Sequence, residues 1–203
     1  MKYNIPLILY VVLQFVAFFF VLVGTPLDIF RDKSPNGFGK FPCFTLWGIL
    51  FNCTPGDKME GIDAYSGCPL RMHQFRAAEA FVIISIVVYG AAFILGLILL
   101  FCCPVLRRVC LTLNIVGVVT LCVVWALVVE MYYKDANPRC EKFKEGASYS
   151  SAFVLFVLAW ILDVINIFLL LLPFAGVDAG ANRRQSCRPR SRMEVVGGDG
   201  GRA

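Results

Sequence analysis

Apolar and polar positions do not alternate along most of this chain; they segregate into blocks. Four blocks are almost wholly apolar: Ile5 to Val23, Phe81 to Cys103, Val109 to Val129 and Ala152 to Phe174. Each runs to about 20 residues, which crosses about 30 Å of hydrocarbon at 1.5 Å per residue. Backbone groups in lipid must be satisfied within the segment, and the period of two expected of barrel strands is missing, so the blocks read as helices. None carries the polar stripe of a helix on the surface of a water-soluble protein. The first block follows Lys2 as a signal peptide would. It is longer than an ordinary h-region, no A-x-A-like site follows it, and three further spans come after it, so it reads as an uncleaved signal-anchor. The expected fold is an all-α membrane protein, a four-transmembrane-helix bundle over residues 1–174. Its connections are a long loop (24–80), a tight turn at Pro104 to Arg108 and a medium loop (130–151). The Gly- and Arg-rich tail, 175–203, has little to bury and is expected to be disordered.

Composition agrees. Of 203 residues 59% are hydrophobic and 16% charged, against about 45–50% and 25% in soluble domains. The net charge of +5 is not clustered as nucleic-acid binding would need, so no nucleic-acid partner is expected. Its distribution sets the orientation. The two longer loops each balance basic against acidic residues. Lys2, Arg107, Arg108 and the arginines of the tail lie on the opposite side. Both termini are therefore expected in the cytoplasm, although Arg71 and Arg76 also lie near a membrane edge.

The two outer loops hold Cys43, Cys53, Cys68 and Cys140. An even number in an oxidising compartment implies two disulfides, of three available pairings. Asn52-Cys53-Thr54 is an N-glycosylation acceptor, and a disulfide at Cys53 would compete with its use. Ser34-Pro35-Asn36-Gly37 and Thr54-Pro55-Gly56-Asp57 are turn signals, and the β-branched and aromatic residues between them favour strands. A small extracellular disulfide-pinned β-sheet in the first loop is the expectation. Trp47 is either a core residue of that sheet or a contact for a partner.

The segment from Cys43 to Cys53, with Thr45, Leu46, Trp47, Gly48 and Asn52 at its specified positions, resembles the signature of the amastins, surface glycoproteins of kinetoplastid parasites. Leu50 stands where a basic residue or Gln is usual. Tyr10 to Phe15, Val23 to Asp28, Phe75 to Phe81 and Trp160 to Asn166 are similar to the family as well. The resemblance implies a four-helix protein at the parasite surface with cytoplasmic termini, at home in the host–parasite relationship. It brings no settled biochemical activity. The layout also resembles the claudins, with Arg76 entering the second helix, and that likeness implies Cys53–Cys68 and Cys43–Cys140 as the pairs.

Polar residues inside the spans are costly and therefore informative. Asp163 lies mid-span with no Lys or Arg in any span to pair with it, and Asn166 shares its helix face. Gln14, Ser85, Tyr89, Asn114 and Thr120 are candidate partners on other helices. Asp163 serves either a proton or ion relay or a hydrogen bond that fixes helix register. Ala92 and Gly96, with Gly90 nearby, form a small-residue pair for close helix approach, within the chain or in a homo-oligomer. Cys102, Cys103, Cys110 and, in the tail, Cys187 are candidates for palmitoylation or, for the first three, for simple packing. The tail arginines suit anionic lipid. His73 has no companion ligands, so no metal is expected. Neither a phosphate-binding loop nor a nucleophile elbow is present, so no enzyme activity and no cofactor are expected. The leading reading is a surface protein that contacts a host-cell membrane or surface protein; the alternative is a proton or ion conductor using Asp163.

Overall fold

The structure, a computed structural model, describes residues 5–33, 42–50, 53, 59–61, 67–101, 106–134 and 143–172. Among them four helices are long and apolar enough to cross a membrane: α1 (Ile5–Gly24), α2 (Pro69–Phe101), α3 (Leu106–Tyr133) and α5 (Ser151–Leu171). A single turn, α4 (Phe143–Gly146), precedes the last strand. Helix α1 packs on α2 and α5, and α3 packs on the same two, so the four close into a ring. Their outward faces stay apolar, with Val87 and Phe168 among the most exposed side chains. Such a surface is stable against lipid and not against water.

Hydropathy places the centre of each span well but not its ends. Helix α2 begins at Pro69 rather than Phe81, which makes it about 50 Å long, well beyond the hydrocarbon thickness. Proline suits this position, because the first turn has no use for its missing N–H. The extension is polar on average yet buries Phe75 and Ala78 on one face. Helix α3 likewise runs on to Tyr133, and α5 ends at Leu171.

Five short strands gather at the end of the bundle where α1 finishes and α2 begins: β1 (Asp28–Asp32), β2 (Cys43–Thr45), β3 (Gly48–Leu50), β4 (Met59–Gly61) and β5 (Ala147–Tyr149). Their order is β4-β3-β2-β1-β5, every pair antiparallel. The sheet is therefore not confined to the first loop, as the sequence suggested. Strand β5 comes from the second loop and completes the β1 edge. The Ser150 N–H donates to the Ile29 carbonyl and the Lys33 N–H to the Gly146 carbonyl, both at 2.8 Å. Sheet and helices share one core. Ile29, Phe30, Leu46 and Ala147 are buried together with Phe75, Val128, Met131 and Phe156. The sheet thus rests on the helix ends through side-chain burial, worth about 1.5–3 kcal/mol per large apolar residue.

Candidate functional site

Two constructions stand out: the hairpin at the sheet end and a polar column through the helices. In the hairpin, β2 and β3 pair Cys43 with Leu50 and Phe44 with Ile49. That leaves Leu46 and Trp47 as the connection. The Thr45 hydroxyl donates to the Gly48 carbonyl at 2.9 Å and accepts from the N–H groups of Trp47 (3.2 Å) and Gly48 (3.1 Å). A short hydroxyl side chain is what such a turn needs. Gly48 has φ 153°, a region closed to most side chains. Leu46 is fully buried beneath the turn. Trp47 packs half-buried against the same core, and its indole N–H donates to the Thr25 carbonyl at the end of α1 at 3.1 Å. Each specified residue from Thr45 to Gly48 thus has a local task, and Trp47 ties the hairpin to a spanning helix.

Cys43 and Cys53 are bonded to each other, with Cα atoms 5.5 Å apart. This corrects the claudin-like pairing of Cys53 with Cys68 and Cys43 with Cys140. Register explains the difference: Cys43 pairs opposite Leu50, and Cys53 follows Leu50 by only three residues, within reach of Cys43. Cys68 is also disulfide-bonded. Asn52, Cys140, Cys102, Cys103, Cys187 and the tail lie outside the described residues.

An aromatic seam joins the sheet to the helices. Tyr149 on β5 stacks on Phe153 (4.4 Å between centroids) and lies 4.3 Å from Tyr132 of α3. Phe30 on β1 lies 6.0 Å from Tyr132. Burial, with smaller contributions from Tyr133 and Tyr132, pushes the Tyr149 phenol up to about 12. The Lys144 ammonium sits 5.2 Å over the ring of Tyr133.

Inside the bundle, the polar residues that sequence could only nominate converge in one column. Gln14, Asn114, Asp163, Asn166 and Ser85 are all at most 1% exposed. Nearest the start of α3, the Asn114 amide donates to the Tyr10 hydroxyl (3.1 Å) and to the Cys110 carbonyl (3.0 Å). One turn further, the Asn166 amide donates to Gln14 Oε1 at 2.8 Å. Next comes Asp163, whose carboxyl lies against Gly117 of α3. A Cβ at Gly117 would stand 2.8 Å from Asp163 Oδ2 and 2.9 Å from Tyr89 Cε2. The Tyr89 hydroxyl lies alongside that carboxyl, outside hydrogen-bonding geometry. Finally Ser85 Oγ lies 3.0 Å from Thr120 Oγ1, and each hydroxyl also reaches a carbonyl of its own helix, Phe81 and Gly117 respectively. Towards the sheet lie Val82, Val124, Val128 and Phe156, and on the same side of Asp163 the indole N–H groups of Trp125 and Trp160 are buried without an acceptor.

Several residues join the column without having been singled out in the sequence. Tyr10 lies one turn from Gln14 on α1, an i, i+4 signal that was available. Gly117 had no signal, since its role depends on α5. At the start of α3, Arg107 donates through Nε to the Leu170 carbonyl at 2.8 Å, and its Nη2 reaches the Leu170 and Leu172 carbonyls. A cation on the otherwise unpaired carbonyls of a helix C-terminus is favourable. Cys110 is buried beside Tyr10. Gly96 and Ala92 face inward, with Gly96 under the Tyr10 ring and Gly90 under Phe18. The small residues therefore serve the α1–α2 contact within the chain.

Four apolar helices crowned at one end by a disulfide-pinned sheet define a four-span membrane protein with an ordered head. The chain belongs to the amastin surface glycoprotein family, which it matches over residues 15–170, and it is accordingly a cell-surface protein. No curated protein matches it.

Proposed function

We propose that this is a non-enzymatic surface protein of a parasite whose five-stranded head contacts a host-cell membrane or surface protein, with both termini in the cytoplasm. The observation that carries the reading is the convergence of both longer loops on one sheet, held by Cys43–Cys53 and seated on the spanning helices. Loops that merely joined helices would need no such head. The head segments also balance in charge, whereas Arg107 and Arg108 lie at the opposite end, as residues left in the cytoplasm do. The intact chain in vesicles is expected to bind host-type membranes or host-cell surfaces, and reduction of the disulfides is expected to abolish that binding. Failure of the oxidised protein to bind any host surface would refute the reading.

A further inference from the structure

The two sulfurs of the Cys43–Cys53 bridge stand in different surroundings. Cys43 is 1% exposed, whereas Cys53 lies at the surface. On the covered side, Asp28 Oδ2 stands 3.8 Å from Cys43 Sγ. A regular strand would turn Asp28 and Arg31 to opposite faces. The irregularity between Asp28 and Phe30 instead sets Asp28 opposite Thr45 and Arg31 opposite Cys43, so carboxylate and guanidinium share the face that carries the bridge. There Arg31 Nη2 lies 3.2 Å from Asp28 Oδ2, and the Ser150 hydroxyl donates to the same oxygen. The Asp28 side chain is largely buried, while that of Arg31 stays 54% exposed. We propose that the bridge is a thiol-exchange site, at which a low-molecular-weight thiol of the glutathione type bonds to Cys53 and displaces Cys43 towards Asp28. This stands apart from the host-contact reading and needs only that such a thiol reaches the head.

The exposure of the two sulfurs decides which one reacts. A thiolate attacks a disulfide sulfur from outside, in line with the bond it breaks. Cys43 is enclosed by the sheet, so the attack falls on Cys53. A bond forms from the incoming sulfur to Cys53 Sγ. The Cys43–Cys53 bond breaks, its electron pair goes to Cys43 Sγ, and that sulfur takes a proton from water. One disulfide replaces another, so nothing is oxidised or reduced overall. The new Cys43 S–H finds an acceptor already in place, Asp28 Oδ2. The same carboxylate opposes negative charge on Cys43, and reclosure needs Cys43 as the thiolate. The adduct on Cys53 therefore persists instead of being expelled at once. Arg31 adds an exposed cation beside the bridge, which favours the approach of an anionic thiol.

The test is mass spectrometry of the intact chain in lipid vesicles after exposure to reduced glutathione, with an acid quench followed by unfolding and alkylation. Glutathione is expected on Cys53 and the alkyl group on Cys43. Asp28→Asn is expected to shorten the lifetime of the adduct about tenfold by letting Cys43 reclose. Arg31→Gln is expected to slow attack by glutathione about threefold and to leave attack by neutral 2-mercaptoethanol unchanged. Glutathione on Cys43, an even split between the two sulfurs, an adduct on Cys68 with Cys43–Cys53 intact, or no adduct at all overturns the site. An unchanged adduct lifetime in an Asp28→Asn chain that keeps its helical circular dichroism and its bridge before treatment overturns the part given to Asp28. Equal slowing of both thiols by Arg31→Gln overturns the part given to Arg31.

Discussion

Gly117 shows how closely one residue is fitted. Its missing side chain is what lets the Asp163 carboxyl and the Tyr89 ring share one surface of α3. Gly117→Ala is expected to destabilise the bundle by about 1–3 kcal/mol through overpacking. Gly61→Ala, where a Cβ would meet nothing within 4 Å, should stay within about 0.5 kcal/mol. Thermal melts of the two variants in the same detergent check the contrast. Tyr149 makes a prediction in pH. Its phenol titrates near 10 in an unfolded chain and is pushed up to about 12 when folded, chiefly by burial. The folded state therefore holds this proton more tightly. The contribution to stability is complete below about pH 10 and is lost as pH rises through about 12. Tyr149→Phe should lose less stability than the native chain across that window, measured by the same melts.

At the scale of elements, the β2–β3 hairpin and its disulfide are expected to behave as a unit. Cys43→Ser removes a cross-link over a short loop, worth about 2–3 kcal/mol by chain entropy. It should loosen the hairpin and leave the helices in place, read as faster proteolysis of the head at unchanged helical circular dichroism. The same variant leaves Asn52-Cys53-Thr54 intact while freeing Cys53, so Asn52 should become more fully glycosylated, read as a glycosidase-sensitive gel shift. Hydropathy revealed the four helices because the demand of lipid on a backbone is local. It missed the first turns of α2, whose buried face includes Phe75 and Ala78, because only the sheet makes that face apolar ground. Strand β5 was hidden for the same reason, as Ala147 to Tyr149 is a strand only beside β1. The hairpin's turn was legible residue by residue, whereas the partner of Cys53 depended on register and was not.

For the whole molecule, the bundle joins two chemistries that the sequence presents apart: a head of strands and aromatic residues at one end, and a column of buried polar side chains within the helices. Asp163 was readable as an anomaly in the sequence. The convergence of Gln14, Asn114, Asn166, Tyr10 and Tyr89 around it required the ring of helices. The role of the head depends first on which side of the membrane it faces. Epitope tags placed at each terminus, stained on intact and on permeabilised cells, measure that directly, with an antibody to the oxidised head as the companion probe. The expected result is head staining on intact cells and terminal staining only after permeabilisation. Terminal tags that stain on intact cells while the head does not would contradict the account.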